Sequence, residues 1–158
     1  MQEYRSGFQR VNAVLKRVSE TQTDELIQAH LAQHLCVIVS GIIETACVQA
    51  LSRYVEKSAS PATAAYAKRR LAQFQNADPR KIEELLGLFS SEWSRDLSTF
   101  WAGEMRDAVA SIVSNRHNIS HGRQATVTLV QIVTWIKNAE KFCEKLEAIV
   151  SGSGHLNS

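Results

Sequence analysis

Apolar residues recur every three or four positions along most of this chain, which is the spacing of one face of an α-helix. Phe8, Val11 and Leu15 follow this spacing and predict a first helix over residues 3–18. No segment alternates apolar and polar residues in the manner of a half-buried β-strand. The pattern therefore predicts an all-α fold.

The least polar segment predicts a long central helix. The chain carries no formal charge from Leu26 to Ile43, and the helical spacing continues to about Lys57. Thr23 or Asp24 supplies the N-cap. Gly41 costs about 1 kcal/mol relative to alanine in a helix interior, which indicates a close approach by another element, a kink, or simply a tolerated glycine. A membrane-spanning helix needs about 20 mostly apolar residues, and glutamines and histidines interrupt this stretch, so we expect it inside a soluble bundle.

Both prolines of the chain mark the starts of helices. Each follows a residue that can cap a helix, and proline is favoured at the first helical position. Pro61 is expected to open a helix that runs through Phe74, and Pro79 is expected to open the next one. Breaks near Ser90 and Gly103 divide the helical segment that follows.

The C-terminal region predicts a last helix and then a tail. Although the helix begins with β-branched residues, its apolar positions favour a helix overall: Val130, Val133, Ile136, Phe142, Leu146 and Ile149. Residues 1–150 are therefore interpreted as one domain, a bundle of about five to seven helices around the central one. Residues 151–158 have nothing to bury and are expected to be disordered.

Charge and cysteine usage narrow the class of protein. A formal net charge of +2 over 158 residues is too weak for a general nucleic-acid coat, so an anionic partner would need a local cluster of charge. Cys36, Cys47 and Cys143 form no C-x-x-C pair, which favours reduced, buried thiols over a disulfide framework. The first ten residues have no apolar core typical of a signal peptide. These features predict a cytoplasmic protein.

One segment, SNRHNISHGR at residues 114–123, concentrates chemistry-bearing side chains. Gly122 after His121 is typical of a helix C-terminus, where cationic side chains complement the helix dipole, so a plain helix end is one interpretation. On a regular helix Arg116 and His121 point about 140° apart. They do not easily grip one small ligand together, whereas a two-fold dimer would place the arginine of one copy near the histidine of the other.

Metal binding is the less favoured alternative for the histidines. The pairs His30/His34 and His117/His121 each have the spacing of two ligands on one helix face. Neither first histidine is followed by glutamate, as in the H-E-x-x-H pattern, and Arg116 would repel a cation. We therefore predict a site without a metal ion or other cofactor.

The residues around this cluster resemble the RiboL-PSP group of HEPN domains. RHNISHG matches the R-x4-H form of the HEPN signature, with Arg116 and His121 as its ends. The segments SGIIETACVQALSRY (40–54), FQNADPRKIEELLGLFSSEW (74–93) and VTLVQIVTWIKNAEKF (127–142) resemble the family in the same order. Many relatives have asparagine directly after the arginine. Here that position is His117 and the asparagine is Asn118, so either side chain is a candidate for the polar helper.

The resemblance implies an all-α bundle that dimerises with both signature motifs at the interface. It also implies metal-independent cleavage of RNA, typically in prokaryotic toxin–antitoxin or anti-phage defence systems. RNA supplies its own nucleophile, the 2′-hydroxyl, so the protein needs only proton transfer and charge stabilisation. We expect His121 to be the general acid or base and Arg116 to neutralise charge on the phosphorane. The expected partners are the RNA substrate, a second copy of the chain and, for a toxin, an antitoxin protein.

Three further residues are weaker candidates. In related domains a glutamate on the central helix accompanies the arginine–histidine pair, so the resemblance nominates Glu44. The alternative is a glutamate at the edge of the core that pairs with an arginine for stability. Arg123 and Arg106 are candidates for holding phosphates near the site, although single arginines at helix ends usually face solvent.

A non-catalytic HEPN module that binds RNA or a partner protein is the alternative function. In such modules the signature is commonly degraded. Both signature residues are present in this chain, which favours the nuclease.

Overall fold

The computed structural model describes residues 3–152, which form seven α-helices and no β-strand. The helices are α1 (Glu3–Ser19), α2 (Glu25–Ser58), α3 (Pro61–Leu71), α4 (Pro79–Phe89), α5 (Ser91–Phe100), α6 (Glu104–Ser120) and α7 (Leu129–Ser151). The prediction of an all-α bundle around a long central helix is confirmed. Of the predicted tail, Ser151 ends α7 and Gly152 caps it, and residues 153–158 lie outside the described residues.

Residues with short polar side chains cap the starts of three helices. Asp24 caps α2 by accepting a hydrogen bond from the backbone N–H of Leu26 at 2.7 Å. Ser60 and Asp78 cap α3 and α4 in the same way, each directly before its proline. The helix opened by Pro61 ends at Leu71, three residues before the predicted end at Phe74. The backbone N–H groups of Gln73 and Phe74 donate instead to the carbonyls of Arg70 and Leu71, in turns that end the helix.

The core lies where α6 and α7 pack against α2 and against each other. α1 and α3 also pack on α2. α4 and α5 pack against each other, and α4 contacts α6 while α5 contacts α7. The buried indole of Trp101 stacks on Phe142 of α7 with 4.8 Å between the ring centroids. Val130, predicted on the apolar face of α7, is instead 79% exposed, because the buried face of that helix begins at Ile132.

α1 is held by close packing and by a charged network. A Cβ atom added at Gly7 would lie 2.9 Å from Ile42, so glycine lets α1 approach α2. The hydroxyl of Tyr4 donates to Glu147 Oε2 at 2.6 Å. Arg5 and Arg53 pair with the same carboxylate at 3.1 and 3.3 Å. Glu147 therefore ties α1 and α2 to α7.

The burial of α2 agrees with its role as the central helix. It is the one helix within residues 3–152 that is long and apolar enough to cross a membrane, but 56% of its apolar window is buried inside the bundle. The predicted buried thiols are found: Cys36, Cys47 and Cys143 are all free and buried. Burial raises the pKa of the Cys36 thiol to about 12.

Candidate active site at the C-terminal end of α6

The end of α6 has the geometry that its glycine predicts. Gly122 has a φ of 66°, in the left-handed region. Its N–H donates to the carbonyl of Ile119 at 3.1 Å, and the N–H of Arg123 donates to the carbonyl of Asn118 at 2.8 Å. These two bonds form a Schellman motif, which closes the helix and fixes the backbone of the exposed His121.

The two histidines of the cluster lie side by side. The ring centroids of His117 and His121 are 4.4 Å apart, with the ring planes inclined at 62°. Both side chains are exposed. Asn118, the other candidate helper, contributes its carbonyl to the helix cap. The structure thus places His117 in ring contact with His121.

Arg116 points to a different set of partners. Its Nη1 donates to Asn76 Oδ1, and the backbone N–H of Asn76 donates to Glu44 Oε1 at 2.7 Å. All three residues are half-buried. A chain of hydrogen bonds therefore joins α6, the α3–α4 loop and α2. Glu44 reaches Arg116 through Asn76, rather than by the direct arginine pair that one sequence interpretation expected.

Asn76 is the site residue that the sequence analysis missed. It has a φ of 55°, a left-handed conformation that asparagine tolerates better than most residues. Its carbonyl accepts from the N–H of Asp78 at 2.7 Å, which tightens the turn before α4. The available signal was an asparagine just ahead of the capping Asp78-Pro79 pair. That signal predicts a turn and gives no information about the contact with Arg116.

A groove of about 330 Å³ runs between the start of α4 and the exposed side of α6. Asn76, Asp78 and Lys81 line one side of it, and Ser114 and His117 line the other. The groove therefore brings the residue that holds Arg116 together with the imidazole of His117 and the ammonium group of Lys81. The carboxylate of Asp78 also lines it and accepts a hydrogen bond from the backbone N–H of Lys81 at the start of α4. Such a surface can accept an anion and exchange a proton with it.

The other two predicted residues, Arg123 and Arg106, lie at different distances from this cluster. Arg123 is exposed and directly follows the glycine that ends α6. Arg106 lies ten residues before Arg116, or about 15 Å along the helix. Its Nε pairs with Glu83 at 3.3 Å, and the same carboxylate accepts from the indole of Trp101. The structure does not bring Arg106 to the site.

The histidine pairs do not assemble a cluster of metal ligands. His30 and His34 are exposed on α2. Over the described range, residues 3–152, no group of three or more His, Cys, Asp or Glu side chains is arranged to hold a metal ion.

Comparison with known sequences assigns the chain to a family. The sequence model of RiboL-PSP-HEPN matches residues 2–152, nearly the whole chain. The chain belongs to the RiboL-PSP-HEPN family. HEPN domains are generally associated with RNase activity, so the family points to an RNase-like module. Searches of curated proteins and of solved structures give no match.

Proposed function

We propose that this RiboL-PSP-HEPN domain is a metal-independent endoribonuclease whose active site forms between two copies of the chain. The observation that carries the proposal is the end of α6. There an arginine is held by a half-buried chain of hydrogen bonds, and two exposed imidazoles lie beside it in sequence. A fixed cation and a mobile proton carrier are the two groups that RNA cleavage by its own 2′-hydroxyl requires.

In this mechanism a general base removes the proton of the 2′-hydroxyl, and the oxygen attacks the adjacent phosphorus. Arg116 neutralises the charge that grows on the phosphorane oxygens, since a guanidinium donates two parallel hydrogen bonds to them. A general acid protonates the departing 5′-oxygen. His121 takes one of these proton-transfer roles and His117 assists it. The products carry a 2′,3′-cyclic phosphate and a 5′-hydroxyl.

The directions of the side chains support a site shared between copies. Arg116 turns inward to Asn76, whereas His121 lies exposed at the end of the helix. A regular helix separates their directions by about 140°. A two-fold axis beside α6 would set the arginine of one copy against the histidine of the other, because such an axis apposes the same surface from both subunits.

The exposed face of α2 supports dimerisation next to this site. Val37 and Ile38 are 40% and 37% exposed, in the stretch of α2 that carries no formal charge. Gly41 is exposed, and a Cβ atom added there would meet nothing within 4 Å. Packing within the chain therefore does not explain a glycine that costs the helix about 1 kcal/mol. A second copy that approaches one turn from Glu44 does explain it.

The biological setting belongs to the same proposal. An RNase that cuts cellular RNA harms its own cell unless a partner restrains it. The domain would accordingly act in the cytoplasm of a prokaryote, in a toxin–antitoxin or anti-phage defence system, with an antitoxin protein as the restraining partner.

The test is cleavage of mixed RNA by purified protein, with and without a strong chelator. We expect cleavage that resists the chelator and leaves 2′,3′-cyclic phosphate ends. His121→Ala should lower the rate by about a hundredfold or more, as expected for loss of a general acid or base. His30→Ala, which removes an exposed histidine of α2, is the matched control and should cleave normally.

Three results would count against this assignment. Full activity of His121→Ala would refute the role of that histidine. Loss of cleavage in the chelator would favour a metal-dependent reaction. Binding of RNA without cleavage by the unaltered protein would indicate the non-catalytic module.

A further inference from the structure

A second groove, of about 520 Å³, lies between α3 and α4 and is not part of the cluster around Arg116. Tyr66 and Arg70 line it from α3, Leu88 and Phe89 line it from α4, and Phe74 lines it from the connecting loop. Tyr66 is 68% exposed and Leu88 is 83% exposed. Within the described chain, large apolar surfaces are thus left open to solvent, and three of the lining side chains are aromatic.

The α3 rim of this groove is basic. Lys68, Arg69 and Arg70 are consecutive in the last turn of α3. Arg70 lines the groove, whereas Lys68 pairs with Glu56 of α2, and no acidic residue occurs between Glu56 and Asp78. The helix dipole alone favours cations at this position. It does not account for an exposed tyrosine one helical turn before Arg70, on the same face of the helix. Cations beside exposed aromatic rings match a ligand that has both phosphates and flat bases.

The α3–α4 groove also adjoins the candidate active site. Phe74, which lines the groove, is two residues before Asn76, so their Cα atoms are at most about 7 Å apart. Asn76 holds Arg116 and lines the α6 groove as well. A strand that places a phosphate at Arg116 therefore has a basic, aromatic path beside it.

We propose that the α3–α4 groove binds single-stranded RNA next to the phosphate to be cleaved. Bases stack on Tyr66 and Phe74, and the guanidinium groups of Arg69 and Arg70 contact the phosphates. The inference rests on the proposed function, because it takes RNA as the ligand. A protein helix would also cover Leu88 and Tyr66, but it would need acidic residues to match the basic rim and would gain nothing from the adjacent site.

The experiment measures binding of a fluorescein-labelled 12-nucleotide single-stranded RNA by anisotropy. All proteins carry His121→Ala, so that the probe is not cut. Tyr66→Ala should weaken binding about tenfold, the effect of losing one stacked base. The pair Arg69→Gln and Arg70→Gln should reduce the slope of log affinity against log salt by about 0.7 for each phosphate that is no longer neutralised.

The matched control is the pair Lys16→Gln and Arg17→Gln, which removes two consecutive cations from the last turn of α1. It should leave Tyr66-dependent binding intact. Groove variants that bind as tightly as this control would overturn the proposal, as would a lack of RNA binding by the starting protein. Groove variants that change the oligomeric state and not RNA affinity would identify a protein interface instead.

The proposal and the nuclease assignment fail separately. Normal cleavage by the unaltered protein, together with normal RNA binding by the groove variants, would refute only the proposal that the α3–α4 groove binds RNA. RNA binding that depends on Tyr66, in a protein that never cleaves RNA, would refute only the nuclease assignment.

If Tyr66→Ala is poorly folded, photocrosslinking of 4-thiouridine RNA to the protein with an intact groove tests the proposal instead. We expect crosslinks at Tyr66 or Phe74, and crosslinks confined to other surfaces would contradict the groove.

Discussion

At the scale of single residues, Asn76 connects the parts of the candidate site. It accepts from Arg116 with its side chain and donates to Glu44 with its main chain, so it sets the position of the guanidinium relative to α2. A bound phosphate would then meet an arginine whose position is already fixed. Preorganised charge of this kind stabilises a transition state without reorganising during the reaction.

Replacing Asn76 tests this positioning role. Asn76→Gly keeps the left-handed backbone but removes the acceptor of Arg116. We expect kcat for RNA cleavage to fall about ten- to a hundredfold, the scale of loss for a misplaced group, with little change in the temperature of unfolding. Gln75→Gly, at the neighbouring exposed loop position, controls for added flexibility and should cleave normally. Wild-type cleavage by Asn76→Gly would show that Asn76 does not position Arg116 for the reaction.

The same residues indicate what sequence can reveal about such a site. The left-handed Gly122 and the ring contact of His117 with His121 are local features within one helix end, so spacing predicts them. The contact between Asn76 and Arg116 joins positions 40 residues apart. It depends on how α6 packs against the loop, and no local pattern encodes that packing.

At the scale of elements, caps and prolines predict the helix starts, while the faces of the helices are less predictable. Asp24, Ser60 and Asp78 begin helices where expected, because capping is a local interaction. Val130 follows the apolar spacing of α7 and is nevertheless 79% exposed. It points about 160° away from the buried Ile132, so it lies on the outer side of the helix. Arg106 is a candidate by its charge but lies near the other end of α6, paired with Glu83.

The network that ties α1 to α7 predicts a dependence of stability on pH. Burial alone would raise the pKa of the Glu147 carboxyl, but the hydrogen bonds from Tyr4 and Arg5, with the charges of Arg5 and Arg53, lower it overall. A carboxyl with a lowered pKa in the folded state stabilises the fold above its unfolded pKa. That stability is lost as the pH falls through the folded value.

Glu147→Gln should therefore cost about 1 kcal/mol at pH 7, the scale of a hydrogen bond to a charged group that solvent partly screens, and less at pH 3.5. Urea unfolding at both pH values measures the difference from the unaltered protein. Glu144→Gln, at an exposed position on the same helix, should have little effect at either pH. An equal loss for Glu147→Gln at pH 7 and pH 3.5 would show that the carboxylate charge is not what stabilises α1.

At the scale of the whole molecule, the three-helix core of α2, α6 and α7 fixes the relative positions of the residues of the candidate site. Glu44 comes from α2, Arg116 and His121 come from α6, and Asn76 comes from the loop that contacts both helices. The family and the all-α bundle were predictable, because the motif and its flanking segments extend over most of the chain. The proposed pairing of two copies depends on an interface that forms only when a second copy of the chain binds.

The most direct measurement is RNA cleavage by hybrid dimers of Arg116→Ala and His121→Ala subunits, produced together and separated from either parent. Each variant alone should be inactive. In a hybrid dimer, one of the two sites retains an intact arginine and an intact histidine from different copies, so about half of the wild-type activity should return. Hybrid dimers that form but remain as inactive as the two parents would contradict a site shared across the two-fold axis.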